Sequence, residues 1–254
     1  MKQQKINYIK KVNIYKEKFP LWAVLLFKSI FITFIICCAF VAVFSFIYTC
    51  TPVDGKSMLP TLNVQKYDDL GEEIESAPKD SVYINRFAEA DYSDIIVMVN
   101  PNASLKNRYV IKRLIAKGGD KVGIGAVTNE SSPAYRTYKV FLIKKGTNVV
   151  EVLDEPYLAE GTDMYFSFCY MNEFRRDNEE KFQEIETSFG NVWFLSVGEN
   201  ELFYLGDNRH FSLDCSTYGA QSKENYVGRV DIIAYESKDY FSYIFLYFWH
   251  KIFG

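Results

Sequence analysis

Twenty consecutive residues without a charge, residues 29–48 (SIFITFIICCAFVAVFSFIY), set the first limit on what this chain can fold into. At ~1.5 Å of rise per residue, a helix of that length crosses the ~30 Å hydrocarbon core of a bilayer. The apolar residues 21–27 (LWAVLLF) run up to it, separated by Lys28. A tilted helix that starts before Lys28 lets this amine snorkel to the headgroups. No face of the segment is polar, which argues against a helix lying on a soluble core. A cleavable leader has an apolar region of only ~7–15 residues, so the reading is an uncleaved transmembrane anchor over 21–50.

Charge orients that anchor. Residues 1–20 carry six lysines against one acid, Glu17, a net of +5. Lys28 adds one more, so the overall −3 leaves −9 for residues 51–254. Lysine-rich flanks stay cytoplasmic, which places the basic tail, 1–20, inside and the chain after Thr51 outside the membrane. Beside a membrane segment a basic tail is a topology signal, and no nucleic-acid partner is expected. The chain is 48% apolar with 21 Phe and 19 Tyr, enough for a packed core rather than a disordered one.

Past the anchor the pattern changes to short runs: SVYINRF, DIIVMV, RYVIKRLIA, KVFLI, VVEVL, NVWFLSV, ELFYL and GRVDIIAY. They are rich in Val, Ile, Tyr and Phe and separated by Gly, Asn, Asp and Ser, which predicts a mostly β, antiparallel domain. The polar stretch 172–186 reads as a solvated loop or short helix on a β-rich insertion spanning about 121–205. The aromatic segment 240–254 is too short for a comfortable span and has two readings, a membrane-interface segment or a terminal element packed on the core. Cys37, Cys38 and Cys50 belong to the anchor and its exit; only Cys169 and Cys215 lie in the outer domain, 51–239, and nothing in the sequence places them near each other. With no CxxC and only His210 and His250, no metal site of ordinary spacing is expected.

VDGKSMLPTL, residues 53–62, puts Ser57 in a turn between Gly55 and Pro60. Most such serines are turn residues, because a hydroxyl is a weak nucleophile until a base takes its proton. His210, in GDNRHF, is one possible base. Lys112, in RYVIKRLIA, is another: alternation along a strand puts Val110, Lys112, Leu114 and Ala116 on one face. Burial there disfavours the ammonium form, and a neutral amine is a competent base. Arg113 is similarly placed, but a guanidinium does not deprotonate in proteins. On the strand alone, a lysine that snorkels to water is the simpler account.

Three stretches taken together change that balance. VDGKSMLPTL, then KRLIAKGGD, then YLGDNRHFSLDCSTYG resemble, in this order, the boxes of bacterial type I signal peptidases, membrane-bound serine proteases with a Ser/Lys dyad. The anchor, Glu-Pro-Tyr-Leu at 155–158, DIIVMV and the closing YVGRVDIIAY are also similar, so the likeness runs from the anchor to about Tyr235. The resemblance implies a signal-peptidase-like catalytic domain with Ser57 as nucleophile and Lys112 as general base. It implies backbone oxyanion donors around Gly55 and Ser57, Gly55 standing where many members have a serine. Ser212 matches the serine that bonds near the lysine, Asp214 the acid supporting it, and Asp207, Asn208 and Arg209 the turn that holds this box. Residues 118–120 read Gly-Gly-Asp where the family has Pro-Gly-Asp, and Ser216 stands where the family has the arginine that pairs with the aspartate.

The implied partners are preprotein signal peptides with small residues before the cut, the lipid bilayer and the secretion translocon; no cofactor is implied. Ile84, Val97 and Tyr109 are candidates for the substrate pockets, and Met58 for a contact with lipid, substrate or core. The implied place is the bacterial cytoplasmic membrane, single-pass, with the catalytic domain extracytoplasmic. The competing class is a catalytically inactive, membrane-tethered relative that binds or assembles, for which the missing arginine at 216 is the best support.

Overall fold

The computed structural model describes residues 20–68, 70–100, 109–129 and 132–235. The expectations placed on 1–19, on the aromatic segment 240–254 and on His250 lie outside the described residues.

Helix α1 (Leu21–Ile47) follows Pro20, which is extended at the N-cap. It is long and apolar enough to cross a membrane, and none of its residues is buried. An all-round apolar helix without protein cover suits a bilayer rather than water. It stops short of residue 50: Tyr48–Pro52 is strand β1. The β-branched Thr49 and Thr51 favour extended backbone there, and Pro52 cannot continue a helix.

The remaining chain builds two antiparallel sheets. β2 (Ser81–Asn85), β3 (Ile95–Val99), β4 (Tyr109–Lys117), β10 (Glu201–Leu205), β11 (Gln221–Ser222) and β12 (Tyr226–Ala234) join β1 in the order β1-β2-β12-β3-β4-β10-β11. β5 (Lys121–Asn129), β6 (Ser132–Ile143), β7 (Glu151–Val152), β8 (Phe182–Thr187) and β9 (Gly190–Ser196) form the second, in the order β7-β6-β5-β9-β8. One core joins them: Ile96, Met98, Leu114 and Phe203 of the first sheet pack with Val122, Ile124, Leu142 and Leu195 of the second. Helix α2 (Tyr165–Asp177) adds Met171 to that core. Asp120 ties the crossing point, accepting from the Lys117 N–H at 2.7 Å, the Lys145 N–H at 2.8 Å and the Tyr92 hydroxyl at 3.0 Å.

The eight apolar runs fall on β2, β3, β4, β6, β7, β9, β10 and β12. The polar stretch 172–186 is neither one loop nor one helix. It divides into the end of α2, a 3-10 turn over Glu179–Lys181 and most of β8. β8 is an edge strand, and outward Glu184 and Glu186 keep its open side from pairing with other chains.

Candidate active site

After β1 the chain enters a tight loop whose carbonyls are held from behind. Gly55 has φ +81°, a conformation that L side chains rarely adopt. Asn63, itself left-handed at φ 61°, donates from Nδ2 to the Val53 carbonyl at 2.9 Å and the Gly55 carbonyl at 3.3 Å. Asp80 fixes Asn63 in turn: its carboxylate accepts the Asn63 N–H at 2.6 Å, and its own N–H donates to Asn63 Oδ1 at 2.9 Å. Met58 and Leu62 anchor the loop in a core with Val53, Val82, Ile84 and Val97. Ser57 is left half-buried between these pins.

Lys112 reaches the same place from β4. Its Nζ lies 2.8 Å from Ser57 Oγ and 3.1 Å from the Ile111 carbonyl. The residue is only 4% exposed, so it does not snorkel. Alternation could not settle this, because residues 112–116 are buried on both faces of the strand. Burial holds the Lys112 amine below the ordinary lysine value, and the negative charges of Asp214 and then Asp207 pull it part of the way back. A neutral amine at this distance can accept the serine proton. The same carboxylates then favour the ammonium that forms.

The turn after β10 is the third wall. Asn208 donates its N–H to the Ser57 carbonyl at 3.0 Å and its Nδ2 to the Lys56 carbonyl at 3.1 Å, so it grips the backbone on both sides of the Ser57 side chain. Asp207 is buried and accepts from Arg113 Nε at 2.8 Å, from Arg113 Nη2 and from the Thr61 hydroxyl. Arg209 is likewise buried; it donates to the Gly206 carbonyl at 3.0 Å and pairs with both oxygens of Glu155. Asp214 accepts the Gly206 N–H at 2.9 Å and the Ser216 hydroxyl at 2.8 Å. Ser216 thus gives Asp214 a neutral partner where an arginine was expected. Ser212 Oγ rests on Gly206 and has no hydrogen-bond partner among the described residues; the Lys112 amine bonds Ser57 and Ile111 instead.

Several of these residues carried too little signal in the sequence to be chosen. Thr61 and Arg113 sit inside the quoted boxes, but only the fold makes them partners of Asp207. Asn63 had a faint mark, since Asn tolerates the left-handed region. Gly206 is needed because a Cβ there would lie 2.5 Å from the Ser57 carbonyl and 2.2 Å from Ser212 Oγ.

A cleft of about 470 Å³ opens onto the pair, with residues 51–55, Ser57 and Met58 on one wall and 109–112 on the other. β3 pairs with β4 from Tyr109 to Arg113, but β10 accompanies β4 only from Arg113 onward. Over 109–112, β4 therefore has one paired edge and one open edge among the described residues. Tyr109 lines the cleft; Ile84 and Val97 do not, being buried behind Val53 and Met58. Met58 both lines the cleft and belongs to the core. His210 is exposed, with its ring edge-on to Phe166 at 5.2 Å. Cys169 and Cys215 are free thiols, and burial pushes the Cys215 thiol up. No cluster of three potential metal ligands occurs among the described residues.

Comparison with known proteins adds three findings. The sequence model of the family described as signal peptidase, peptidase S26, matches residues 26–235. Signal peptidase I S of Bacillus subtilis (strain 168) is 26% identical over 233 residues, covering 89% of this chain and 95% of that protein. The crystal structure of a signal peptidase I from Enterococcus faecalis V583 is 21% identical, with a TM-score of 0.32, and the likeness covers 56% of this chain and 97% of that one.

Proposed function

We propose, from the premise that the chain belongs to the signal peptidase family, peptidase S26, that it cleaves signal peptides from exported preproteins with Ser57 as nucleophile and Lys112 as base. The observation that carries this reading is the 2.8 Å approach of a buried lysine nitrogen to a serine hydroxyl at a peptide-sized cleft.

A substrate segment enters extended and adds to the open edge of β4, with small side chains set against the wall around Met58 and Tyr109. Neutral Lys112 takes the Ser57 proton as Oγ attacks the scissile carbonyl. The Ser57 N–H and its neighbours stabilise the oxyanion, each such donor being worth about 3–4 kcal/mol in comparable hydrolases. The ammonium then gives its proton to the leaving amine, and the amino-terminal fragment stays on Oγ as an ester. Water, deprotonated by the same lysine, attacks the ester carbonyl; the acyl–Oγ bond breaks, the ammonium returns the proton to Ser57 Oγ, and the signal peptide leaves with a free carboxylate. The apolar helix serves as a single-pass anchor, with its lysine-rich tail cytoplasmic and the catalytic domain outside, where cleavage sites emerge beside the translocon. Ser57 and Lys112, both kept and in contact, weigh against an inactive binding relative.

The pH dependence tests the base. Only the neutral amine accepts the proton, so kcat/KM for a preprotein in detergent rises with pH and levels off once the lowered Lys112 pKa is passed. The acidic limb is expected well below the ordinary ~10.4 of lysine. A limb close to 10.4 would mean that the amine is solvated and the assignment wrong.

Gly206→Ala tests the clamp. The added methyl meets backbone at the Ser57 carbonyl, which cannot turn away as a side chain can. A displacement of the nucleophile by about 1 Å costs roughly 100-fold in rate. The expected result is that order of loss in kcat/KM; an unchanged kcat would show that the loop shifts freely.

A further inference from the structure

The second sheet and α2 enclose a hollow of about 310 Å³, and none of its lining residues lines the Ser57–Lys112 cleft. Two guanidinium side chains, Arg136 and Arg175, and two amides, Asn172 and Asn191, line it, with no Asp or Glu among the described lining residues. Neither arginine makes an ion pair among the described residues. The Arg175 guanidinium carbon lies over the Trp193 ring, 4.2 Å from its centroid, and its Nε is shut from solvent with no acceptor among the described residues. A donor shut from water with nothing to accept from it carries an uncompensated desolvation cost. The rest of the wall is largely apolar, with Phe168, Phe182 and Trp193 prominent.

We propose that this hollow binds a carboxylate carried on an apolar or aromatic body. With its central carbon over the indole and its Nε shut away, the Arg175 guanidinium has its two terminal nitrogens for a planar two-oxygen acceptor, the geometry a carboxylate supplies. The amides of Asn172 and Asn191 add neutral donors, and the aromatic wall takes the body of the ligand. A dianionic phosphate is more strongly hydrated, and two guanidiniums with two amides in a half-apolar hollow replace its water poorly. Free organic acids and the carboxy-terminal end of a peptide share the recognised chemistry.

Trp193 is a reporter built into the site. Its fluorescence is followed in the detergent-solubilised full chain with Trp22 and Trp249 replaced by phenylalanine. Benzoate and N-acetylphenylalanine are titrated as the small-acid and peptide-terminus probes, benzamide as the neutral control and phenyl phosphate as the rival anion. Saturable quenching by at least one carboxylate is expected, with benzamide and phenyl phosphate at least tenfold weaker. The tighter of the two carboxylates identifies the source. Arg175→Gln raises Kd at least tenfold; Arg136→Gln, at an exposed position that cannot cost the fold, raises it severalfold. No saturable quenching by either carboxylate, equal binding of benzoate and benzamide, tighter phenyl phosphate, or wild-type affinity in Arg136→Gln would overturn the proposal.

Discussion

On the proposed mechanism, Ser57→Ala and Lys112→Met are each expected to lower preprotein cleavage by roughly 10⁴- to 10⁶-fold, and the double variant to be no slower than either single one. In that mechanism nucleophile and base act on one proton, so removing either removes the whole step and the losses do not add. His210→Ala retains substantial activity, because its imidazole packs on Phe166 rather than on Ser57. Lys112→Met has a second signature that a merely damaged protein would not show. The unfolded chain binds a proton on this lysine up to ~10.4, while burial lowers the folded-state value. Between the two values the unfolded state holds more protons, so wild-type stability rises with pH across that window. Methionine fills a similar volume without this penalty. Lys112→Met is therefore expected to melt higher than wild type, most clearly below the lowered pKa, and the gain fades as pH approaches ~10.4. Equal cleavage by wild type and Ser57→Ala, or a lower melting point for Lys112→Met at every pH, would contradict the assignment.

Asp207→Ala is expected to be the most destabilising single change near the site. It strands a buried guanidinium that keeps, among the described residues, only the Ser93 carbonyl at 2.7 Å, the Thr61 hydroxyl at 3.2 Å and the Tyr157 ring. Removing one partner of a buried ion pair costs about 3–5 kcal/mol. For a domain of this size each kcal/mol moves Tm by roughly 2–4 °C, so a fall of about 6–20 °C is expected. The double change Arg113→Met with Asp207→Leu removes both charges and is expected to recover much of the loss. A fall of under about 2 °C for Asp207→Ala would mean that the guanidinium finds water, against its burial here.

The long apolar helix and most strands were legible because their signals are local. A chargeless run and short β-branched, aromatic runs declare themselves without neighbours. β5 was hidden by Gly123 and Gly125, which suit a strand only because Val192 and Phe194 of β9 occupy the space that side chains would take. β8 was hidden by its charges, which belong to an edge. The candidate site was legible as types and spacing, Ser57 before Lys112 before the Gly-Asp-Asn-Arg turn, and not as contacts. Asn208 was noted as a turn residue, yet its grip on the Lys56 and Ser57 carbonyls depends on a closure between distant segments that no local pattern encodes. Ser216 read as a loss from the sequence; in three dimensions its hydroxyl and N–H both serve Asp214.

On the proposed function, the edge of β4 that is open over 109–112 among the described residues bears on how wide a clientele such a site can serve. Amides and carbonyls are the same in every polypeptide, so a site that grips by main chain accepts passengers of almost any composition. Selectivity then falls to the few side chains squeezed beside the severed bond, and the remainder of a leader is free to drift in evolution.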